Sequence, residues 1–322
     1  MKYLIVGDYH AEQSDLRDCE DLADYIVELS VKHKAKVLFM GDQYHNHGVI
    51  SAEVQRFWCD FFDRLPYGSI SLVGNHDKPG SANSMATAML AHTKQTTVVR
   101  EPTLIDGALF LPYMHSAEEF VDTCKKYPHI QTVICHQTFD GSKYENGFYA
   151  QDGVDPELIP QESVVSGHIH TPQEFGKVWY VGAPRWRTIS DAGIDRNIWV
   201  VCFDEAGAML ERKRFSTGNV CRQIIQLVDT EERPGSDLFL AGHDYRVDIH
   251  GHAGFIEQRA AHWKALGARV RTFQVDEAVA AVSESEGLET AFQKYVEGFK
   301  ANRGTDIVTL KSMLKERVSR AI

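Results

Sequence analysis

Short apolar runs alternate with amphipathic stretches over the first two thirds of the chain, the pattern of strands and crossover helices in an α/β core. Residues 3–6 read as a buried strand, 19–32 as a helix, 37–40 as a strand and 52–65 as a second helix. Residues 70–73 predict another strand, 82–92 a helix, and 97–114 strands broken by the turn Asp106-Gly107. A helix over 117–126 leads into a strand over 132–135, and 163–215 reads as mostly β through VVSGH, VWYVG and NIWVVCF. The composition shifts near Arg222. Residues 229–242 are turn-rich and polar, and beyond them HDYRVDIHG predicts a strand, 254–266 a helix and 268–275 a strand. Residues 287–322 carry two helical patterns separated by Asn302-Arg303-Gly304. The expected division is therefore a large domain at 1–217, a small α/β unit at 218–286 and a helical segment at 287–322.

At 322 residues the chain is long enough for one large core and a small second unit. Its 34 Lys+Arg against 45 Asp+Glu give a net charge of -11, which argues against a surface built wholly to coat itself in nucleic acid. A local basic groove remains open, as does a substrate held through metal cations that a side-chain count omits. From His243 onward there are 12 bases and 11 acids, leaving 22 and 34 for the front, so the acidity belongs to the large domain. The six cysteines are widely spaced with no CxxC pair, as expected for reduced residues of a cytoplasmic protein. The opening MKYLIVGDYH has too short an apolar run for a signal peptide or a membrane span, so no membrane partner is expected.

The chemistry lies where Asp, His and Asn follow the strands. Asp8 and His10 follow the first in VGDYH, Asp42 the second in MGDQYH, and Asn75, His76 and Asp77 the third in VGNHD. His136 ends another in VICHQ, and His168 and His170 follow VVS in GHIH. Carboxyl ends of strands are the edge where open α/β sheets build their sites. A single Asp after a strand is more often a turn or a cap, but burying seven uncompensated polar groups at one edge costs several kcal/mol. Metal ions are the simplest compensation. Carboxylate and amide oxygen mixed with imidazole suits Mn²⁺, Fe²⁺ or Zn²⁺, and seven ligands suit a pair of ions sharing one carboxylate. Such a pair can generate a hydroxide, polarise a phosphoryl oxygen and stabilise a leaving oxygen, as phosphoester hydrolysis needs.

The blocks GDYH, GD, GNHD, His136 and GHIH resemble the calcineurin-like metallophosphoesterase superfamily over about the first 215 residues. The resemblance implies a four-layered β-sandwich flanked by helices, with a small α/β cap and C-terminal helices. It implies that Asp8, His10, Asp42 and His170 hold one ion, and that Asn75, His136 and His168 join the shared Asp42 around a second. The cofactor expected is a pair of divalent cations, Mn²⁺ first among them. His76 would lie beside the scissile phosphate as general acid or phosphate stabiliser, with Asp77 orienting it; an imidazole paired with a carboxylate can carry a proton at neutral pH.

The run GHIHTPQEFGKVWYVGAPRW is similar to the corresponding stretch of SbcD-type and phage recombination nucleases. That likeness implies a DNA exonuclease subunit, a cap that helps present DNA, and terminal helices that bind the coiled coil of an SMC-like ATPase partner, in a bacterial cytoplasm and of phage origin. Arg185, Trp186 and Arg187 could pair with phosphate while stacking on a base, or form a loop packed on the core by Trp186. His45 and His47 could line the entrance or bind phosphate, or belong to an ordinary exposed loop. A homodimer is implied only through apolar helices such as 54–62, which could equally pack inside. The alternatives are a stand-alone phosphodiesterase or phosphatase acting on a nucleotide or other small phosphoester, and a non-catalytic scaffold. The intact ligand set argues against the scaffold.

Overall fold

The computed structural model describes residues 1–47, 49–78, 87–233, 235, 240 and 242–274. Two compact units divide the chain, the first built on Met1–Ile225 and the second beginning at Gln226 and including the described chain from Tyr245 on.

In the first unit, strands β1 (Lys2–Val6), β2 (Lys36–Phe39), β3 (Ser69–Leu72) and β4 (Thr97–Val99) run parallel in a six-stranded sheet. The antiparallel strands β11 (Asn197–Phe203) and β12 (Met209–Ser216) complete it beside β1. The second sheet has β6 (Ala108–Leu111), β7 (Thr132–His136), β8 (Ser163–Gly167) and β10 (Val178–Tyr180) in parallel. Its antiparallel edges are β5 (Thr103–Ile105) and β9 (Gln173–Phe175).

The central strands read as continuous apolar runs because both of their faces are covered. Tyr3, Ile5, Leu38 and Met40 meet Phe110, Ile134, Val165 and Val181 of the second sheet in one core. Leu4, Val6, Val37 and Phe39 turn the other way, onto helices α1 (Leu16–His33) and α2 (Ala52–Asp63). The second sheet's outer residues, Leu109, Val133, Cys135 and Val164, pack with Phe120 and Cys124 of helix α3 (Ala117–Lys125). The order is thus helices, sheet, sheet, helix, the four-layered α/β sandwich that the motif pattern implies.

Both long helices follow their sequence logic. In α1, Cys19, Leu22, Ala23, Ile26 and Leu29 recur on one buried face, and Lys34 closes the helix in a left-handed conformation at φ +50°. In α2, Ser51 caps the start by accepting a bond from the Val54 N–H. Val54, Phe57, Trp58, Phe61 and Phe62 are all buried in the core, so the 54–62 stripe supplies no exposed face for a dimer. Residues 88–92 form a short 3₁₀ turn rather than the second half of a longer helix. Strand β12 is charged along its length, MLERKRFS, and its burial pattern is that of a solvated edge, which hides it from an apolar periodicity.

The second unit is a three-stranded sheet ordered β13 (Ile224–Thr230), β14 (Asp244–Gly251), β15 (Arg269–Gln274). Helix α4 (Ala253–Ala265) connects the parallel pair β14 and β15. Its Trp263 is fully buried, and the indole N–H donates to Asp229 of β13 at 2.5 Å. The strand–helix–strand expected after residue 243 is present, whereas β13 falls where only a composition shift is apparent. The helices expected over 287–322 lie outside the described residues, as does most of the segment 82–87. Among the described residues, no helix is long and apolar enough to cross a membrane.

Candidate metal centre

Strands β1, β2 and β3 end level with one another, with Val6 opposite Phe39 and Phe39 opposite Ser71. In the other sheet His136 closes β7 opposite Gly167, the last residue of β8. The loops leaving these ends bring Asp8, His10, Asp42, Asn75, His168 and His170 to His136.

Asp42 is central to the cluster. Its Oδ2 lies 3.6 Å from His10 Nε2 and 3.4 Å from His136 Nε2. On one side, His170 Nε2 is 3.0 Å from His10 Nε2 and 3.6 Å from Asp8 Oδ2. On the other, Asn75 Oδ1 is 3.0 Å from His136 Nε2 and 2.9 Å from His168 Nδ1. Two lobes therefore meet at one carboxylate oxygen: Asp8, His10 and His170 form the first, and Asn75, His136 and His168 the second.

This collection of lone pairs demands positive charge. His136 Nδ1–H donates to Met40 O at 2.8 Å, which turns Nε2 toward Asn75 and Asp42. Burial lowers the basicity of His136, but Asp42 and Asp8 outweigh it and raise the imidazole to about 9. A proton or a metal ion can meet that demand. Asp8 Oδ2 is buried with no hydrogen-bond partner, and burial pushes the Asp8 carboxyl up against the opposing pull of His136 and His170. A divalent cation in the first lobe would relieve both conditions. Burial lowers His168 to about 3, helped by His136, so it presents a neutral ring; burial also holds His10 well below the usual imidazole range. Hard oxygens with neutral imidazoles fit Mn²⁺, Fe²⁺ or Zn²⁺.

The backbone is shaped for this convergence. Of the five non-glycine residues with positive φ among those described, three are His10, Asp42 and His168, so uncommon conformations collect at this edge. At Gly74 a Cβ would lie 2.1 Å from Asp42 Oδ1 and 2.4 Å from Asp42 N. Gly74→Ala is expected to displace Asp42, costing about 1–3 kcal/mol of stability from overpacking and weakening Mn²⁺ binding. Thermal denaturation with a Mn²⁺ titration checks it; unchanged binding would mean that the loop yields without moving Asp42.

His76 flanks the lobes, its ring at 4.7 Å and perpendicular to that of His10. Its backbone N–H donates to Asp42 Oδ1 at 2.8 Å, and its Nδ1–H donates to His45 O at 2.7 Å. His47 stacks on it at 4.2 Å, with its own Nδ1 3.0 Å from Asn75 O. Asp77 does not orient His76. Its oxygens accept the N–H groups of Tyr44 at 3.0 Å and Gly74 at 2.9 Å, tying the loop after β3 to the loop after β2. Burial, reinforced by Asp42, raises the Asp77 carboxyl to about 7. The expected His–Asp pairing fails because the carboxylate is taken by backbone donors while a backbone carbonyl serves the imidazole.

The family model for calcineurin-like phosphoesterases matches residues 1–172. The chain belongs to that family. The family is, by its description, one of phosphoesterases. Exonuclease subunit 1 of Enterobacteria phage T4 is 29% identical over 222 residues, covering 62% of this chain and 64% of that protein's length. A solved 5'-nucleotidase precursor from Thermus thermophilus matches at 15% identity and a TM-score of 0.36, over 67% of this chain and 54% of that one.

The Arg-Trp-Arg triplet of this family member divides into three different environments. Arg185 is 2% exposed and bonded to Asp15 and to the carbonyls of Tyr9 and His10, so it is not available to a substrate phosphate. Trp186 is 8% exposed within the helix-side core and cannot stack on a base. Arg187 alone reaches the site. Its Nη1 donates to His45 Nδ1 at 3.0 Å and its Nη2 to Glu12 at 2.7 Å. Burial, with Arg187 nearby, lowers the basicity of His45.

Two neighbours of the phosphoesterase site escape sequence reasoning. Glu145 accepts the His170 N–H at 3.1 Å, and Tyr113 stacks on His168 with ring centres 5.6 Å apart. Glu145 comes from a turn-rich loop and Tyr113 from beyond β6, so neither occupies a strand-end motif.

Proposed function

We propose that this chain is a two-metal phosphodiesterase that acts on DNA, the exonuclease subunit of a recombination or repair complex. The meeting of two lobes at Asp42 Oδ2 carries the hydrolytic part of this reading. The 222-residue likeness to a phage exonuclease subunit supports a nuclease with a partner protein; DNA as substrate and an SMC-like coiled-coil ATPase as that partner follow from the resemblance of the 167–186 run to SbcD-type nucleases. Mn²⁺ as the working metal, a bacterial cytoplasmic setting and a phage origin belong to the same proposal.

In it, Asp8, His10, Asp42 and His170 hold one cation, and Asp42, Asn75, His136 and His168 hold the other. When bound, the two cations supply Lewis acidity and neutralise the phosphoryl oxygens. His76 keeps Nδ1–H on His45 O, so Nε2 is the nitrogen that can pass a proton to the departing sugar oxygen. Arg187 occupies His45 Nδ1, which leaves Nε2–H of His45 as a donor to a phosphate oxygen. Asp77 takes part only by holding the two loops together.

The test is hydrolysis by the purified chain in Mn²⁺, with end-labelled double- and single-stranded linear DNA beside bis-p-nitrophenyl phosphate and a panel of nucleotides, and Asp42→Ala as the contamination control. Degradation of DNA that the control abolishes is the expected result. Turnover of nucleotides or other small phosphoesters with DNA untouched would replace the nuclease with a stand-alone phosphodiesterase or phosphatase.

A further inference from the structure

Two buried arginines each bond to the backbone carbonyl of a first-lobe histidine. Arg185 Nη2 donates to His10 O at 2.6 Å, its Nε to Tyr9 O at 2.9 Å, and its Nη1 to Asp15 at 2.7 Å. Arg196 Nη1 donates to His170 O, while its Nη2 pairs with Asp191 at 2.5 Å. Asp191 is itself fixed, accepting the N–H groups of Arg187 at 2.8 Å and Thr188 at 2.7 Å.

The ligand histidines differ in how they are supported. His136 of the second lobe belongs to β7, where the ladder to β8 fixes its backbone. His10 and His170, like His168 of the second lobe, lie on loops beyond strand ends. The His10 N–H donates to Asp42 O at 2.8 Å and His170 O accepts the Ala183 N–H at 3.0 Å, and each of these two backbones takes a buried arginine in addition. His10 also has the left-handed φ of +48°, a conformation that persists only when its surroundings hold it. Yet the two rings must converge on one point, since their Nε2 atoms are 3.0 Å apart. A buried arginine–carboxylate pair contributes little net stability over apolar packing. What the guanidinium adds is a planar fork that bonds a carboxylate and a carbonyl at once, which neither an apolar side chain nor a lysine can reproduce.

We propose that Arg185 and Arg196 are positioning residues that set the affinity of the first lobe for its divalent cation, by clamping the backbones of His10 and His170. This rests on the two-lobe reading of the site. They touch neither substrate nor cation; they act through the ligands, as supporting groups behind metal ligands do elsewhere.

The test is a calorimetric Mn²⁺ titration of the full chain in two backgrounds, His168→Ala to leave the first lobe and His10→Ala to leave the second. Arg196→Lys is then added to each; lysine keeps a positive charge beside Asp191 but cannot span to His170 O. We expect the Mn²⁺ Kd to rise about tenfold or more in the first-lobe background and less than about twofold in the second, the size of effect seen when support behind a metal ligand is lost. Equal weakening in both backgrounds, or none in the first, would overturn the proposal. Near-ultraviolet circular dichroism verifies folding, and if Arg196→Lys does not fold, Arg185→Lys is carried through the same titrations with the same criteria. The backgrounds separate the two readings: if they do not each bind one Mn²⁺, the two-lobe site has failed rather than the clamp.

Discussion

Asp42→Ala is expected to empty both lobes of Mn²⁺ and to lower phosphodiester hydrolysis by about 10⁴-fold or more, a loss of roughly 5.5 kcal/mol of transition-state stabilisation. The size follows from geometry. Oδ2 lies within 3.6 Å of a ring nitrogen of both His10 and His136, so its removal takes a ligand from each lobe together. Oδ1 accepts the His76 N–H at 2.8 Å, so the same change also frees the backbone that carries the proposed acid. Stability should fall much less than activity. The buried carboxylate is costly to desolvate, and its loss leaves His136 free to give up a proton that Asp42 and Asp8 together retain. Equilibrium dialysis with Mn²⁺, run beside thermal denaturation of the metal-free protein, separates these effects. Two bound ions with residual turnover in Asp42→Ala would remove Asp42 from the shared position.

His76→Ala should behave differently, retaining Mn²⁺ while kcat falls by about 10²- to 10⁴-fold on substrates with a poor leaving group, the usual worth of a positioned general acid. The ring lies 4.7 Å from that of His10 but is itself fastened through His45 O rather than through any carboxylate. Its removal therefore opens no hole in either lobe. The leaving group distinguishes its two candidate roles. A p-nitrophenolate departs with little help, so a general acid would be missed far more on DNA than on bis-p-nitrophenyl phosphate. A group that merely binds phosphate would be missed about equally on both, chiefly in KM. Loss of a metal ion in His76→Ala would instead make this residue a ligand.

The sequence makes the layer order and the site's location legible for a shared reason. A strand covered on both faces must be apolar throughout, and the polar residues that follow it mark its carboxyl end. Val6, Phe39 and Leu72 are each followed within a few residues by a glycine and then Asp8, Asp42 or Asn75, and the parallel register sets those ends level. Strand β12 and the turn at 88–92 are less legible because neither repeats an apolar residue at a regular interval. The Arg-Trp-Arg triplet shows the limit most clearly. Three adjacent residues together suggest contact with a nucleic acid, the arginines by phosphate pairing and Trp186 by stacking, but one forms a buried ion pair, one joins the core and one reaches the site.

The residues and their order along the chain determined the α/β alternation, the strand-end motifs and the ligand chemistry, because periodicity, turn residues and donor type are local properties. Only the tertiary structure decided which partners those groups take. Asp77 goes to the backbone of Tyr44 and Gly74, His76 to the carbonyl of His45, and Arg185 to Asp15 and the carbonyls of Tyr9 and His10. Such pairings depend on distances between loops that leave different strands, and a buried donor bonds to whichever acceptor the packing places within about 3 Å, whatever its separation in sequence.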